Sequence, residues 1–128
     1  MAQVLVVDDD PLIGKTLLDL LSLHGFPARR AESGERGIEE LSTGGFDLVL
    51  LDRRLPGMSG FETCSRIREL HGPHLPVIMM TAFGDPVAVR RGYEAGADDC
   101  LHKPIDTPAL ILKVRAFLRL KSTHDELA

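Results

Sequence analysis

The sequence predicts an α/β fold, a doubly wound five-stranded parallel sheet with five helices, and three observations predict it. Short apolar runs recur along the chain and are continuous rather than alternating, as in strands buried on both faces. Between successive runs lies a stretch of helical periodicity opened by a capping residue. Four runs end in reactive polar residues: Val4-Leu5-Val6-Val7 in Asp8-Asp9, Leu48-Val49-Leu50-Leu51 in Asp52, Val77-Ile78-Met79-Met80 in Thr81, and Cys100-Leu101-His102 in Lys103-Pro104. A parallel sheet gathers such residues at its carboxyl edge, where open α/β folds place the ligand crevice.

The elements follow in order. Pro11 opens a helix with Ile13, Leu17, Leu20 and Leu21 on one face, and Gly25 ends it as a C′ glycine. Asp10 is read as its cap, with Pro11 at N1, rather than as an added metal ligand. Phe26 to Ala31 is a short strand, more polar than the others and therefore placed at an edge. Ser33 caps a second helix carrying Ile38 and Leu41, stopped by Gly44-Gly45. The third strand spans Asp47 to Leu51, and Leu55-Pro56-Gly57-Met58 is a loop. Ser59-Gly60-Phe61-Glu62 reads as a capping box for a helix that buries Phe61, Cys64, Ile67 and Leu70 and closes at Gly72-Pro73. Pro76 to Met80 is the fourth strand.

Asp85-Pro86 then supplies a cap and an N1 proline. That helix carries Val89 and Tyr93, ends at Gly96, and has little aliphatic bulk, so it is expected to be the least firmly packed. Asp99 to His102 is the fifth strand. Thr107-Pro108 opens the last helix, with Leu110, Val114, Phe117 and either Leu118 or Leu120 inward. Residues 1–121 are expected to form one domain, and 122–128 a polar, fraying tail or the start of a linker. Right-handed crossovers allow the doubly wound arrangement, and five units are too few for an eight-fold barrel.

Composition narrows the function. The 128 residues are 44% hydrophobic and 27% charged, with a net charge of -4, which offers no basic footprint for direct nucleic acid binding. No apolar stretch approaches the ~20 residues of a membrane span, and no secretory leader is apparent. Cys64 and Cys100 are far apart in apolar surroundings and read as free thiols of a reducing compartment, so a cytoplasmic location is expected.

Taken singly, the strand-end residues are ordinary: an Asp there commonly caps a helix, a Thr is a common strand residue, and a Lys is usually solvated. Together they are not. Carboxylates about 4 Å apart repel by about 4 kcal/mol at an effective dielectric near 20, so the cluster of Asp8, Asp9 and Asp52 calls for a cation. Hard oxygen donors without imidazole or thiolate favour Mg²⁺ or Mn²⁺. A carboxylate can also act as a nucleophile toward phosphorus, with Thr81 and Lys103 orienting and neutralising the phosphoryl oxygens.

On these residues the chain resembles the receiver (CheY-like) domain of two-component response regulators, from about Gln3 to Leu120. Asp8-Asp9 is similar to that family's acidic pair, Asp52 to its phosphoacceptor, Thr81-Ala82 to its switch hydroxyl and small neighbour, and Lys103-Pro104 to its lysine with a cis peptide bond. Leu55 to Gly60 resembles the family's loop after the phosphoacceptor strand, and Gly92 to Asp99 the stretch before the last strand.

The resemblance implies a flavodoxin-like sheet of strand order 2-1-3-4-5 and a phosphorylation-activated switch. By that resemblance it would be a signalling domain rather than an enzyme, catalysing only its own phosphoryl transfer and autodephosphorylation. Asp52 would accept a phosphoryl group from a sensor histidine kinase or a phosphotransfer protein. Asp9 would bind Mg²⁺ directly and Asp8 largely through water, with Asp52 and the backbone carbonyl of Arg54 completing the protein ligands. Thr81 and Lys103 would contact the phosphoryl oxygens. The output face would be the fourth helix, fifth strand and fifth helix, a possible homodimer surface, and the regulators most resembled control transcription.

Several positions stand apart from the pattern. Cys100 occupies the switch position three before the lysine, where the family usually has an aromatic residue; Phe83, two after Thr81, is an alternative participant. His102 is polar where an aliphatic residue is commoner, and reads as a partly exposed strand-end histidine or as a pH-sensitive contact. Arg53 and Arg54 read as solvated charges, or else Arg54 overhangs the site, in which case Arg54→Ala would alter the lifetime of phosphorylated Asp52. His24, His71, His74 and His124 have no ligand spacing and read as surface residues. Two rival functions compete. A pseudo-receiver would only bind protein, against which the complete acidic pocket argues. A haloacid-dehalogenase-like phosphatase would need a D-x-D-x-T pattern, but Leu12 stands at the threonine position.

Overall fold

The computed structural model describes residues 2–127. Its elements alternate: β1 (Val4–Val7), α1 (Pro11–Leu23), β2 (Ala28–Ala31), α2 (Gly34–Ser42), β3 (Leu48–Asp52), α3 (Gly60–His71), β4 (Val77–Ala82), α4 (Pro86–Glu94), β5 (Asp99–Lys103) and α5 (Thr107–Leu127). The strands form one parallel sheet in the order β2-β1-β3-β4-β5. The polar strand β2 lies at an edge, and the buried runs β1 and β3 lie inside.

Side chains of each strand alternate between two cores. Val4, Val6, Leu48, Leu50, Ile78, Met80 and Leu101 face α1 and α5, meeting Leu17, Leu21, Leu110 and Val114. Leu5, Val7, Val49, Leu51, Val77, Met79 and Cys100 face α2, α3 and α4, meeting Leu41, Phe61, Cys64, Ile67 and Ala88. Burying both faces explains why these runs are continuously apolar. Each fully buried aliphatic side chain contributes about 1.5–3 kcal/mol.

The helix starts follow local chemistry. The Asp10 carboxylate accepts from the amides of Leu12 and Ile13, Ser33 Oγ from Arg36, Ser59 Oγ from Glu62, and Asp85 from Ala88. Gly25, with φ of 84°, turns the chain out of α1 in the left-handed region that glycine tolerates best.

Several expected positions move. Leu70 is 50% exposed, Tyr93 47% and Leu120 63%. At 100° per residue, Leu70 lies about 120° from the inward Cys64, and Leu120 about 120° from Val114, whereas Leu118 lies only about 40° away. Leu118 is therefore the inward residue. Tyr93 lies about 140° from Ala88 on α4, whose buried residues are Ala88 and Gly92. The low bulk expected of that helix is observed.

The segment expected to fray or become a linker after Lys121 continues α5 to Leu127 instead. It is anchored on the body: Lys121 Nζ lies 3.9 Å from Asp47 Oδ1 and 2.6 Å from Asp125 Oδ2. The imidazoles of His74 and His124 stack with centroids 3.7 Å apart. Ala128, and Met1 at the other end, lie outside the described residues. Among the described residues, no helix is long and apolar enough to cross a membrane.

Candidate functional site

The carboxyl ends of β1, β3, β4 and β5 converge as the sequence leads one to expect. Hydrogen bonding carries the last three strands through Asp52, Ala82 and Lys103, so most of the polar residues are held by the ladder itself. Asp52 stands opposite Met80, Thr81 opposite His102, and Ala82 opposite Lys103.

Asp8, Asp9 and Asp52 each bring a carboxylate oxygen within 4.8 Å of the others. Asp8 is fully buried and Asp52 is 6% exposed, while Asp9 is exposed at the rim. Asp8 is held from its own turn, since Oδ1 accepts from the Asp10 amide at 3.0 Å. Lys103 spans the cluster, its Nζ 3.0 Å from Asp52 Oδ2 and 3.2 Å from Asp8 Oδ2. The Lys103-Pro104 peptide is cis.

Electrostatics follow from this crowding. Burial pushes the Asp52 carboxyl above its ordinary value, and the neighbouring Asp8 charge adds to this, against the opposing hydrogen bond and charge of Lys103. Burial alone would pull the Lys103 ammonium down. The hydrogen bond and charge of Asp52, with Asp8, outweigh it and leave that group above the usual lysine range. Asp52 and Lys103 therefore both lie above their ordinary values, and the lysine stays charged. The three hard oxygen donors of Asp8, Asp9 and Asp52, with no imidazole or thiolate among them, fit a small divalent cation such as Mg²⁺.

The backbone around Asp52 is tightly enclosed. The Gly60 amide donates to Arg53 O at 2.9 Å, and a Cβ at Gly60 would collide with the carbonyl oxygen of Asp52 and the Cα of Arg53. Glycine alone allows the start of α3 to approach the strand end so closely. The Arg54 amide donates to Asp52 Oδ1 at 3.4 Å, and the Arg54 residue is exposed at the rim of the site.

Thr81 belongs to the same edge but not to the carboxylate cluster. It is 1% exposed, and its hydroxyl lies 3.4 Å from Nδ1 of His102. Cys100 is buried on the α4 side of β5, and burial raises its thiol above the ordinary value. Cys64 is pushed up to about 11, chiefly by burial. Both thiols are free. Phe83 is 82% exposed, and its ring meets that of His102 edge-on with centroids 5.8 Å apart.

Two residues that hold the site were not singled out for these roles. Arg30, on the edge strand β2, donates from Nε to Asp8 O at 3.0 Å and from Nη2 to Asp9 O at 3.1 Å, fixing the acidic turn. The one available signal was a pair of arginines in a short strand. Arg53, read as solvated, is instead paired with Asp85, the cap of α4, at 20% side-chain exposure. Its guanidinium also lies 5.8 Å from the centroid of the Phe61 ring. The partner is 32 residues away, beyond the reach of any local pattern.

Comparison with known proteins gives the family and the fold. The family model described as the response regulator receiver domain matches residues 4–115. The chain is 40% identical over 119 residues to the transcriptional regulatory protein CpxR homolog of Haemophilus influenzae, covering 93% of this chain and 51% of that protein. It is 42% identical over 120 residues to the transcriptional regulatory protein AfsQ1 of Streptomyces coelicolor, covering 93% and 52%. The solved chemotaxis protein CheY4 of Vibrio cholerae superposes with a TM-score of 0.85 at 27% identity, covering 91% of this chain and 98% of that one. The chain thus spans about half the length of these curated relatives.

Proposed function

The chain belongs to the response regulator receiver domain family, a family of phosphorylation-activated signalling domains, and on that premise we propose that Asp52 is its phosphoacceptor. The observation that carries this reading is the Lys103 ammonium placed between the buried Asp52 and Asp8 carboxylates. An ammonium there can follow charge from a carboxylate to a phosphoryl group without leaving the site.

In the proposed reaction an Asp52 carboxylate oxygen bonds to the phosphorus of a phosphohistidine on a sensor kinase or phosphotransfer protein. The phosphorus–nitrogen bond breaks, and its electron pair returns to the imidazole, which takes up a proton. Asp8, Asp9, Asp52 and the Arg54 carbonyl would hold Mg²⁺ or Mn²⁺, which supplies charge neutralisation at the phosphoryl oxygens. Lys103 contacts the same oxygens, and the Thr81 hydroxyl turns toward them. The consequence is a shift of the α4-β5-α5 face, where Phe83, Val87, Tyr93 and Leu112 stand exposed as a candidate homodimer surface. The free thiols fit work in the reducing cytoplasm.

Incubation with acetyl phosphate and Mg²⁺ tests the assignment. The expected result is a mass increase of one phosphoryl group, lost in Asp52→Asn. An unlabelled wild type would favour the protein-binding module instead, and sustained Mg²⁺-dependent turnover of a phosphate ester would favour a phosphatase.

A further inference from the structure

We infer that His102 is a positioning residue for Thr81, holding its hydroxyl in the unphosphorylated protein and releasing it when Asp52 is phosphorylated. The inference rests on the proposed role of Asp52 and adds the residue that opposes it.

The two residues are cross-strand partners at the carboxyl edge of β4 and β5. Thr81 is buried and His102 exposed, so the hydroxyl is shut away from water on one side and meets the ring on the other. Nδ1 lies 3.4 Å from Oγ1, and among the described residues it is the partner that hydroxyl has. With the ring proton on Nε2, Nδ1 is an acceptor and the hydroxyl donates to it.

A hydroxyl carries one proton and serves one acceptor at a time. A phosphoryl oxygen on Asp52 is charged, and charge-assisted hydrogen bonds are about twice as strong as neutral ones. The 3.4 Å contact is long and neutral, so it yields. The contact therefore sets the resting position of Thr81 without blocking the switch.

What happens to the ring afterwards follows from its surroundings. His102 shares a face of β5 with Cys100, one pleat repeat away, and Cys100 offers no ring. The outer side of His102 meets Phe83 edge-on. Both rings line an open, largely apolar groove of about 600 Å³ with Pro86, Val89 and Tyr93. Once Thr81 turns away, His102 loses its inner partner, and the two rings reshape the wall of that groove. The state of Asp52 is thus displayed at the surface by His102 and Phe83.

Asparagine places an amide oxygen where Nδ1 of histidine stands, and glutamine places it one bond further out. This separates the hydrogen bond from mere bulk. With acetyl phosphate and saturating Mg²⁺, His102→Ala and His102→Gln are expected to take up the phosphoryl group about two- to fivefold faster than wild type, as loss of one weak hydrogen bond implies. His102→Asn is expected to restore the wild-type rate. A rate for His102→Ala equal to wild type, or for His102→Asn equal to His102→Ala, overturns the inference while leaving Asp52 as phosphoacceptor. A wild type that takes up no phosphoryl group overturns the Asp52 assignment, and this inference with it.

Discussion

Asp52 is a group the fold holds against its own preference. Burial favours its neutral form, while Lys103 favours the charged one and only partly prevails. The sign of the resulting pH dependence follows. With the folded value raised, the folded protein keeps a proton that the unfolded chain has already lost. Stability from this group is therefore fully present below the ordinary aspartate value and is lost as the pH rises through the folded one. Asp52→Asn is accordingly expected to have a higher Tm than wild type at pH 7. The gap should close as the pH falls below the raised value, and thermal melts of both proteins from pH 4 to 8 check it. Among single residues, the acidic pair, Asp52, Thr81 and Lys103 were legible because each ends an apolar run. The turn of the Thr81 hydroxyl to His102 was not, because strand spacing names a neighbour only once the register of β4 and β5 is known.

At the level of elements, the caps were the most legible feature, since a cap is a contract between residues two or three apart. Asp10, Ser33, Ser59 and Asp85 all cap the helices expected of them. Strand ends were less so: hydrogen bonding continues past the last apolar residue, drawing Asp52, Thr81, Ala82, and Lys103 into the ladder. The Arg53–Asp85 pair joins two elements, the end of β3 and the start of α4. Asp85 sits below its ordinary value, first through the Ala88 amide and then through Arg53, so both contacts favour the carboxylate. Asp85→Asn keeps an acceptor for the cap and loses the ion pair, whereas Asp85→Ala loses both. The α4 amides are expected to exchange roughly five- to tenfold faster in Asp85→Ala than in wild type, with Asp85→Asn between them. Equal exchange in all three would mean that α4 does not depend on this anchor.

At the scale of the molecule, the carboxylate cluster should couple ion binding to folding. A ligand that binds only the folded state at a hundred times its Kd adds about 2.7 kcal/mol, so Mg²⁺ is expected to raise Tm by several degrees. Asp9 is exposed and joins the cluster without supporting the core, so Asp9→Asn, which also relieves charge repulsion, should hold or raise the metal-free Tm and lose the Mg²⁺ increment. Calorimetry with and without the ion distinguishes this from a general salt effect. The sheet and its two cores were legible throughout, because both rest on the same continuous apolar runs. The end of α5 was not, because its polar surface resembles that of a tail and its anchors, Asp47 and His74, come from distant loops. That helix also has mechanical consequences. At 1.5 Å per residue its 21 residues make a rod about 30 Å long, and a tilt of about 5° at Thr107 sweeps Leu127 through nearly 3 Å. The Lys121 and His124 contacts act as a latch near the free end of this lever, so small displacements at the carboxyl edge of the sheet are either stopped at the latch or delivered, amplified, to whatever the rod touches.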